Sequence, residues 1–277
     1  MSWNFDSIPK YVINLDRRRD RWDEFQNSSG FESLENIRRW SAVDGKLIDL
    51  HIDTRISMFT KYNIIHGQRR SHMELNSKGG VGCYLSHVEV WKDFLQKSSS
   101  DVALVLEDDA NITETSINNI KNFCEKSEVI QNSKLWDFCI VSMFDGFKNA
   151  GPMYPGDTSC FRLMEFAGFH AYLITKKGVR KILPLLFPIQ GHIDWFLSIC
   201  SQLQYIDLAA SPTTLIYQRL SPTDIQKTST CRICDLDPNF DKESAVITKW
   251  RLRSFQFEEL LIVLGSIYIF GVFVNKV

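Results

Sequence analysis

The tract Val102-Ala103-Leu104-Val105-Leu106 runs directly into Glu107-Asp108-Asp109, and that junction constrains the fold more than any other part of the chain. Five consecutive apolar residues mark a strand covered on both faces, which requires helices packed on each side of a sheet. In open α/β sheets ligands lie outside the carboxyl ends of the strands, so the three acids project where a ligand would sit. Crowded carboxylates repel one another unless a cation is present, and hard oxygen ligands suit Mg²⁺ or Mn²⁺. Taken alone, the same acids are equally a solvated turn at a strand end.

The surrounding pattern supports an α/β layout that is mostly parallel. Tyr11-Val12-Ile13 reads as a first strand ending at Asn14-Leu15-Asp16, with a helix from Arg17 to Phe25. Gly79-Gly80-Val81-Gly82 opens a helix with Tyr84, Leu85, Val88, Trp91, Phe94 and Leu95 on one face. Asp137–Val141, Ala167–Thr175 and Tyr205–Ala209 read as strands, Lys176–Leu186 and Ile193–Leu203 as helices. The cations of Arg17, Arg18, Arg19 and Arg21 suit a phosphate or carboxylate, and equally an exposed, salt-bridged first turn. Glycines at a helix start allow close backbone approach and anionic charge.

Composition removes several classes. Of 277 residues 44% are hydrophobic and 23% charged, with a formal net charge of −1, which excludes disorder and argues against a nucleic-acid binder with a large basic surface. The seven cysteines are scattered through apolar stretches, so buried free thiols are expected, and Cys231-Arg-Ile-Cys234 lacks the partners of a zinc site. The amino terminus shows no signal-peptide pattern, and the expectation is a cytoplasmic protein. The polar stretch 220–254 reads as a linker, and 255–277 as a hydrophobic tail. Its fifteen uncharged residues, Leu260 to Val274, would span about 22 Å as a helix against about 30 Å of hydrocarbon. The tail is either a short membrane anchor or a terminal helix docked on the domain.

The order of motifs resembles family 25 glycosyltransferases, which include lipopolysaccharide and collagen hydroxylysine sugar transferases. The resemblance rests on Val12–Arg21, Ser41-Ala42-Val43-Asp44-Gly45, Gly79–His87, Leu104–Asp109, Ala167–Thr175 and His192-Ile193-Asp194. It implies a GT-A-like, Rossmann-type mixed sheet flanked by helices, as a single catalytic domain over 1–219. It also implies an inverting, metal-dependent transfer of a hexose, galactose or glucose, from a UDP-sugar to a glycan or protein hydroxyl. Carried over by residue, Asn14, Leu15 and Arg18 are donor contacts, with Asp44 near the nucleoside, and Gly79, Gly82, His87, Glu107 and Asp108 belong to the donor site. Asp109 is the leading ligand for Mn²⁺ or Mg²⁺, assisted by Glu107 or Asp108. Two positions depart from the family pattern: Gly80 replaces an acidic residue, and His192-Ile193-Asp194 replaces Pro-Val-Asp.

An inverting transfer needs a carboxylate to accept the proton of the attacking hydroxyl. Asp194 is assigned that role, and at the start of a helix it is equally placed to cap it. His170 reads as a satisfied core histidine, and His87 is open to either a structural or a functional role. An iron site built on His192-Ile193-Asp194 fails for want of a later histidine. A calcium loop at Asp235–Val246 fails because Phe240 and Val246 stand where a glycine and a bidentate acid are needed. The alternative to an enzyme is a non-catalytic relative that binds a glycan or a partner protein.

Overall fold

The computed structural model describes residues 3–67, 73–142, 148–219 and 224–225. The tail 255–277 and the CxxC pair lie outside the described residues, as does the linker stretch apart from Asp224 and Ile225. The chain begins with β1 (Lys10–Asn14), α1 (Arg19–Gln26) and β2 (Ile37–Ser41), followed by α2 (Met58–His66) and α3 (Lys78–Lys97). Next come β3 (Val102–Glu107), the short β4 (Ala110–Asn111), α4 (Glu114–Lys126), α5 (Glu128–Gln131) and β5 (Phe138–Ile140). A hairpin of β6 (Lys148–Pro152) and β7 (Phe161–Glu165) precedes β8 (Ala171–Thr175), α6 (Lys176–Ile182) and α7 (Ile193–Gln202). The last two strands are β9 (Leu208–Ala210) and β10 (Tyr217–Gln218).

Eight strands form one sheet in the order β2-β1-β3-β8-β5-β9-β7-β6, and β10 pairs with β4 in a small second sheet. The large sheet is mixed. β1 runs parallel to β2 and β3, and β5 to β9, whereas β8 is antiparallel to both β3 and β5. The mostly parallel reading therefore holds for the first three strands and for β5 beside β9, and is broken by β8, β7 and β6. The reason is that β8 enters from the β6–β7 hairpin rather than from a crossover helix.

Alternation along β1 and β3 fills both faces. Tyr11, Ile13, Ala103 and Val105 join the apolar layer under α3, α6 and α7. Val12, Val102, Leu104 and Leu106 join the opposite layer with Phe25 of α1 and Ile117, Ile120 and Cys124 of α4. A strand buried this way has no polar positions, which is why Val102–Leu106 reads as a continuous apolar run.

Several boundaries differ from expectation. α3 starts at Lys78, capped by the Ser77 hydroxyl accepting from the Gly80 amide, so Gly79 and Gly80 lie inside its first turn and Gly82 just after it. Ala167–His170 is not strand, and α6 gives way to a 3₁₀ turn at Leu183–Leu185 around Pro184. The five described cysteines are free thiols, four of them buried. Among the described residues, no helix is long and apolar enough to cross a membrane.

Candidate functional site

β1 and β3 lie side by side and end together, which brings Asn14 next to the acids that follow β3. The Asn14 side-chain amide donates to Asp108 Oδ2 at 2.6 Å and to the Arg18 carbonyl at 3.0 Å. Its Oδ1 accepts from Arg39 of β2 at 2.9 and 2.7 Å. The strand ends are thus laced together through one buried asparagine.

The three acids diverge. A strand turns successive side chains to opposite faces, so Glu107 points to the α3 side and Asp108 to the α1 side. Glu107 Oε1 lies 3.0 Å from His87 Nε2 and 3.8 Å from Cys83 Sγ. Asp108 Oδ1 lies 3.0 Å from Arg21, and Asp109 Oδ2 takes the same guanidinium at 2.7 Å and the Gln218 amide at 3.0 Å. Backbone ties hold the turn: Asp108 N donates to Ile13 O at 3.1 Å, and Arg219 N to Asp109 O at 2.7 Å.

Charge at the turn is incompletely answered. Arg21 is one cation shared by two carboxylates. Burial, opposed by Arg21 and Asn14, pushes Asp108 up to about 6. Burial and the neighbouring Glu107 charge raise Asp109 as well, against the pull of Arg21. Glu107 behaves oppositely: burial pushes it up, but the His87 bond outweighs this and holds it below the usual carboxylate range. Among the described residues Asp109 Oδ1 is buried and accepts no hydrogen bond, as is also true of Oδ1 of Asp6, Asp93 and Asp137, which unlike it face a lysine. A buried carboxylate oxygen without a donor is costly, and a hard cation would satisfy it.

A polar chain runs from Glu107 into the core. His87 Nδ1 lies 2.9 Å from the Tyr172 hydroxyl, which accepts from Trp91 Nε1 at 2.8 Å. Trp91 can only donate, so the fully buried Tyr172 hydroxyl finds a use for its own proton by donating to His87 Nδ1. That leaves His87 carrying its proton on Nε2, aimed at Glu107. Cys83, His87 and Glu107 are also the described residues whose ligand atoms converge, all within 4.8 Å. The oxygens of the three acids do not converge in this way.

The remaining predicted residues fall around this centre. Asp44 caps a 3₁₀ turn by accepting from Lys46 N and pairs with Arg17 at 2.8 Å. Arg18 pairs with Asp20 and Asp224, and Leu15 offers its carbonyl to Arg18 N. Gly82 and Gly79 make room for backbone. A Cβ on Gly82 would lie 2.5 Å from Val43 O, and one on Gly79 2.0 Å from Asp224 O.

Asp194 sits in the first turn of α7 and takes the Gly168 amide on Oδ2 and the Trp195 amide on Oδ1, both at 2.9 Å. The N-cap position itself is His192, with no side-chain cap bond, so Asp194 acts as the acidic residue of the first turn rather than as the cap. The Cys83 thiol, pushed up chiefly by burial, also feels the charges of Glu107, Asp194 and Asp109, so Asp194 shares the electrostatic neighbourhood of the acids. His170 is buried with Nε2 3.1 Å from Ile216 O, and it lies close enough to act on Glu107 and Asp109. Gln218, Arg219 and Asp224 lie more than a hundred residues from the motifs they touch, and no local sequence signal marks them.

Fold and site together define an α/β protein with its polar centre at the carboxyl ends of neighbouring strands. The chain belongs to glycosyltransferase family 25: the family model, described as "Glycosyltransferase family 25 (LPS biosynthesis protein)", matches residues 7–197. Procollagen galactosyltransferase 2 of Mus musculus is 33% identical over 108 residues, 38% of this chain and 16% of that protein. A protein of Bos taurus named "Probable inactive glycosyltransferase 25 family member 3" is 27% identical over 186 residues, 65% of this chain and 29% of its own. "Putative glycosyltransferase R655" of Acanthamoeba polyphaga mimivirus is 33% identical over 106 residues, 38% of this chain and 30% of its own. These matches span less than a third of each relative's length.

Proposed function

We propose that this domain transfers a hexose, galactose or glucose, from a UDP-sugar to a hydroxyl of a glycan or protein, with inversion and with a divalent cation. The reading is supported most by the unanswered Asp109 Oδ1 at the end of β3, in a chain of this family. Mn²⁺ or Mg²⁺ would be held by Asp109, with Asp108 beside it, and would supply positive charge against the leaving diphosphate. Glu107 stands on the other face, held by His87, and belongs to the wall of the site. Arg21 keeps Asp108 and Asp109 from mutual repulsion, and Asn14 fixes Asp108 against β1.

At the reacting carbon, the bond to the acceptor oxygen forms as the bond to the diphosphate oxygen breaks. The acceptor proton passes to a carboxylate oxygen of Asp194, whose orientation is fixed by the Gly168 and Trp195 amides. A donor screen across nucleotide sugars with Mn²⁺, read as nucleotide release, tests the proposal. UDP release from UDP-galactose or UDP-glucose is the expected outcome. Absence of both release and UDP binding would instead favour a non-catalytic relative, a reading that draws support from the "probable inactive" name of the bovine protein.

A further inference from the structure

Arg17 and Arg18 follow β1 directly and grip one carboxylate between them. Arg17 Nη1 lies 2.9 Å from Asp224 Oδ1, and Arg18 Nη1 contacts Asp224 Oδ2. Each arginine is steadied by a second acid, Arg17 by Asp44 at 2.8 Å and Arg18 by Asp20 at 2.8 Å. The edges left over face Asp224, one guanidinium to each of its oxygens. The clamp is partly buried, with side chains 33% exposed at Arg17, 16% at Arg18 and 21% at Asp224. Burial alone would raise the Asp224 carboxyl, yet the two arginines hold it below the usual range.

Asp224 comes from a stretch outside the sheet, some 206 residues away in sequence. Its carbonyl lies against Gly79 at the start of α3, where any side chain would collide, and the Ile225 carbonyl accepts from the Ser77 hydroxyl. The segment is therefore seated by three contacts on the clamp and on the first turn of α3. Two guanidiniums spaced to hold both oxygens of a carboxylate also hold two oxygens of a phosphate, which carries more charge.

We propose that Arg17 and Arg18 form an anion site for a phosphate-bearing ligand, and that Asp224 fills it from within the chain until such a ligand displaces it. The idea rests on the UDP-sugar reading for the natural ligand, but the clamp itself answers to inorganic pyrophosphate. A tethered competitor acts at an effective concentration in the millimolar range. Removing it should tighten anion binding by the factor 1 + Ceff/K, which is about tenfold where the carboxylate holds the clamp with a K about a tenth of the millimolar effective concentration.

The test is calorimetric titration of the full chain with pyrophosphate and, separately, with UDP. Asp224→Ala and the isosteric Asp224→Asn should each bind pyrophosphate about tenfold more tightly than the native protein. Adding Arg18→Ala should abolish the gain. Equal or weaker pyrophosphate binding by both Asp224 variants, or none by any form, overturns the proposal, since Asp224 would then serve only to order the arginines. Tighter pyrophosphate binding without UDP binding leaves the clamp standing and removes the nucleotide reading. UDP bound alike by native and variant forms, with pyrophosphate also unchanged, leaves the nucleotide reading and removes the proposal.

Discussion

At the amino end of the sheet charge is buried with partners at hand, whereas at the carboxyl end it is buried with too few. Lys10, at the start of β1, is fully buried and donates to the carbonyls of Phe5, Ile8 and Asp6 at 2.8, 3.1 and 3.2 Å. Asp137, just before β5, is fully buried between Lys181 at 2.6 Å and Lys177 at 3.1 Å, and accepts the Asp207 amide at 2.8 Å. Asp108 and Asp109 share one guanidinium; among the described residues Oδ1 of Asp137 and Oδ1 of Asp109 both accept no hydrogen bond, but the first lies 3.1 Å from Lys177 and the second has no such ion pair. Both ends bury charged groups, so burial alone does not separate them. The difference is in ion pairing: Asp137 has two lysines to itself, whereas Asp108 and Asp109 divide one guanidinium.

Substitution should separate the two ends. Asp109→Asn should lower sugar-nucleotide turnover by about a thousandfold, comparable to losing a preorganised charge at a reacting centre, while leaving thermal stability nearly unchanged. Asp137→Asn should do the reverse. It leaves two lysines facing a neutral amide and should cost about 2–3 kcal/mol in denaturant unfolding. That lies at the low end for buried pairs because Lys177 and Lys181 are 34% and 38% exposed. Activity per folded molecule should hold, and a thousandfold fall in it would erase the distinction.

His87→Ala tests whether the polar chain behind Glu107 belongs to the site. Loss of a residue that orients a charged group should reduce turnover about 10- to 100-fold, with Tyr172→Phe following in the same direction and less strongly. Unaltered turnover in both would make the chain a feature of core packing alone.

The smallest effect concerns Lys10, whose pKa burial lowers from 10.5 to about 8. Between about pH 8 and 10.5 the unfolded chain holds a proton that the folded chain has released, so unfolding free energy rises with pH there. The contribution is complete above pH 10.5 and is lost as pH falls through 8. Stability of the native protein relative to Lys10→Met, from urea melts across this window, should therefore climb with pH. A flat difference would show that the buried ammonium does not titrate as assigned.

Much of this was readable in the residues, for physical reasons. β1, β3, α3, α6 and α7 are buried on one or both faces, and burial writes itself as apolar runs or helical periodicity. β2 is half-buried at the sheet edge and carries Arg38 and Arg39, so it has no such signature. The β6–β7 hairpin contains Gly151, Pro152, Pro155 and Gly156, which read as turn rather than strand. α4 left its mark as a capping box at Thr113 and Ser116, which an apolar pattern alone does not reveal.

Motif order pointed to Asn14, Asp44, His87 and the three acids, and the fold brings Asn14 and His87 of these against Asp108 and Glu107. Which arginine of the run meets Asp108 and Asp109 depends on helical phase, and that selected Arg21 rather than Arg18. The divergence of Glu107 from Asp108 follows from strand alternation, so the pair was never suited to a single ligand point on one face. Gln218, Arg219 and Asp224 reach the site only through the folded path of the chain.

The proposed cation would bind at the carboxyl end of β3. Calorimetric titration of the native protein with Mn²⁺, beside Asp109→Asn and Asp137→Asn, tests it most directly. One saturable site is expected in the native protein and in Asp137→Asn, and its loss in Asp109→Asn. Binding that survives Asp109→Asn, or no binding to the native protein with UDP present, would contradict it.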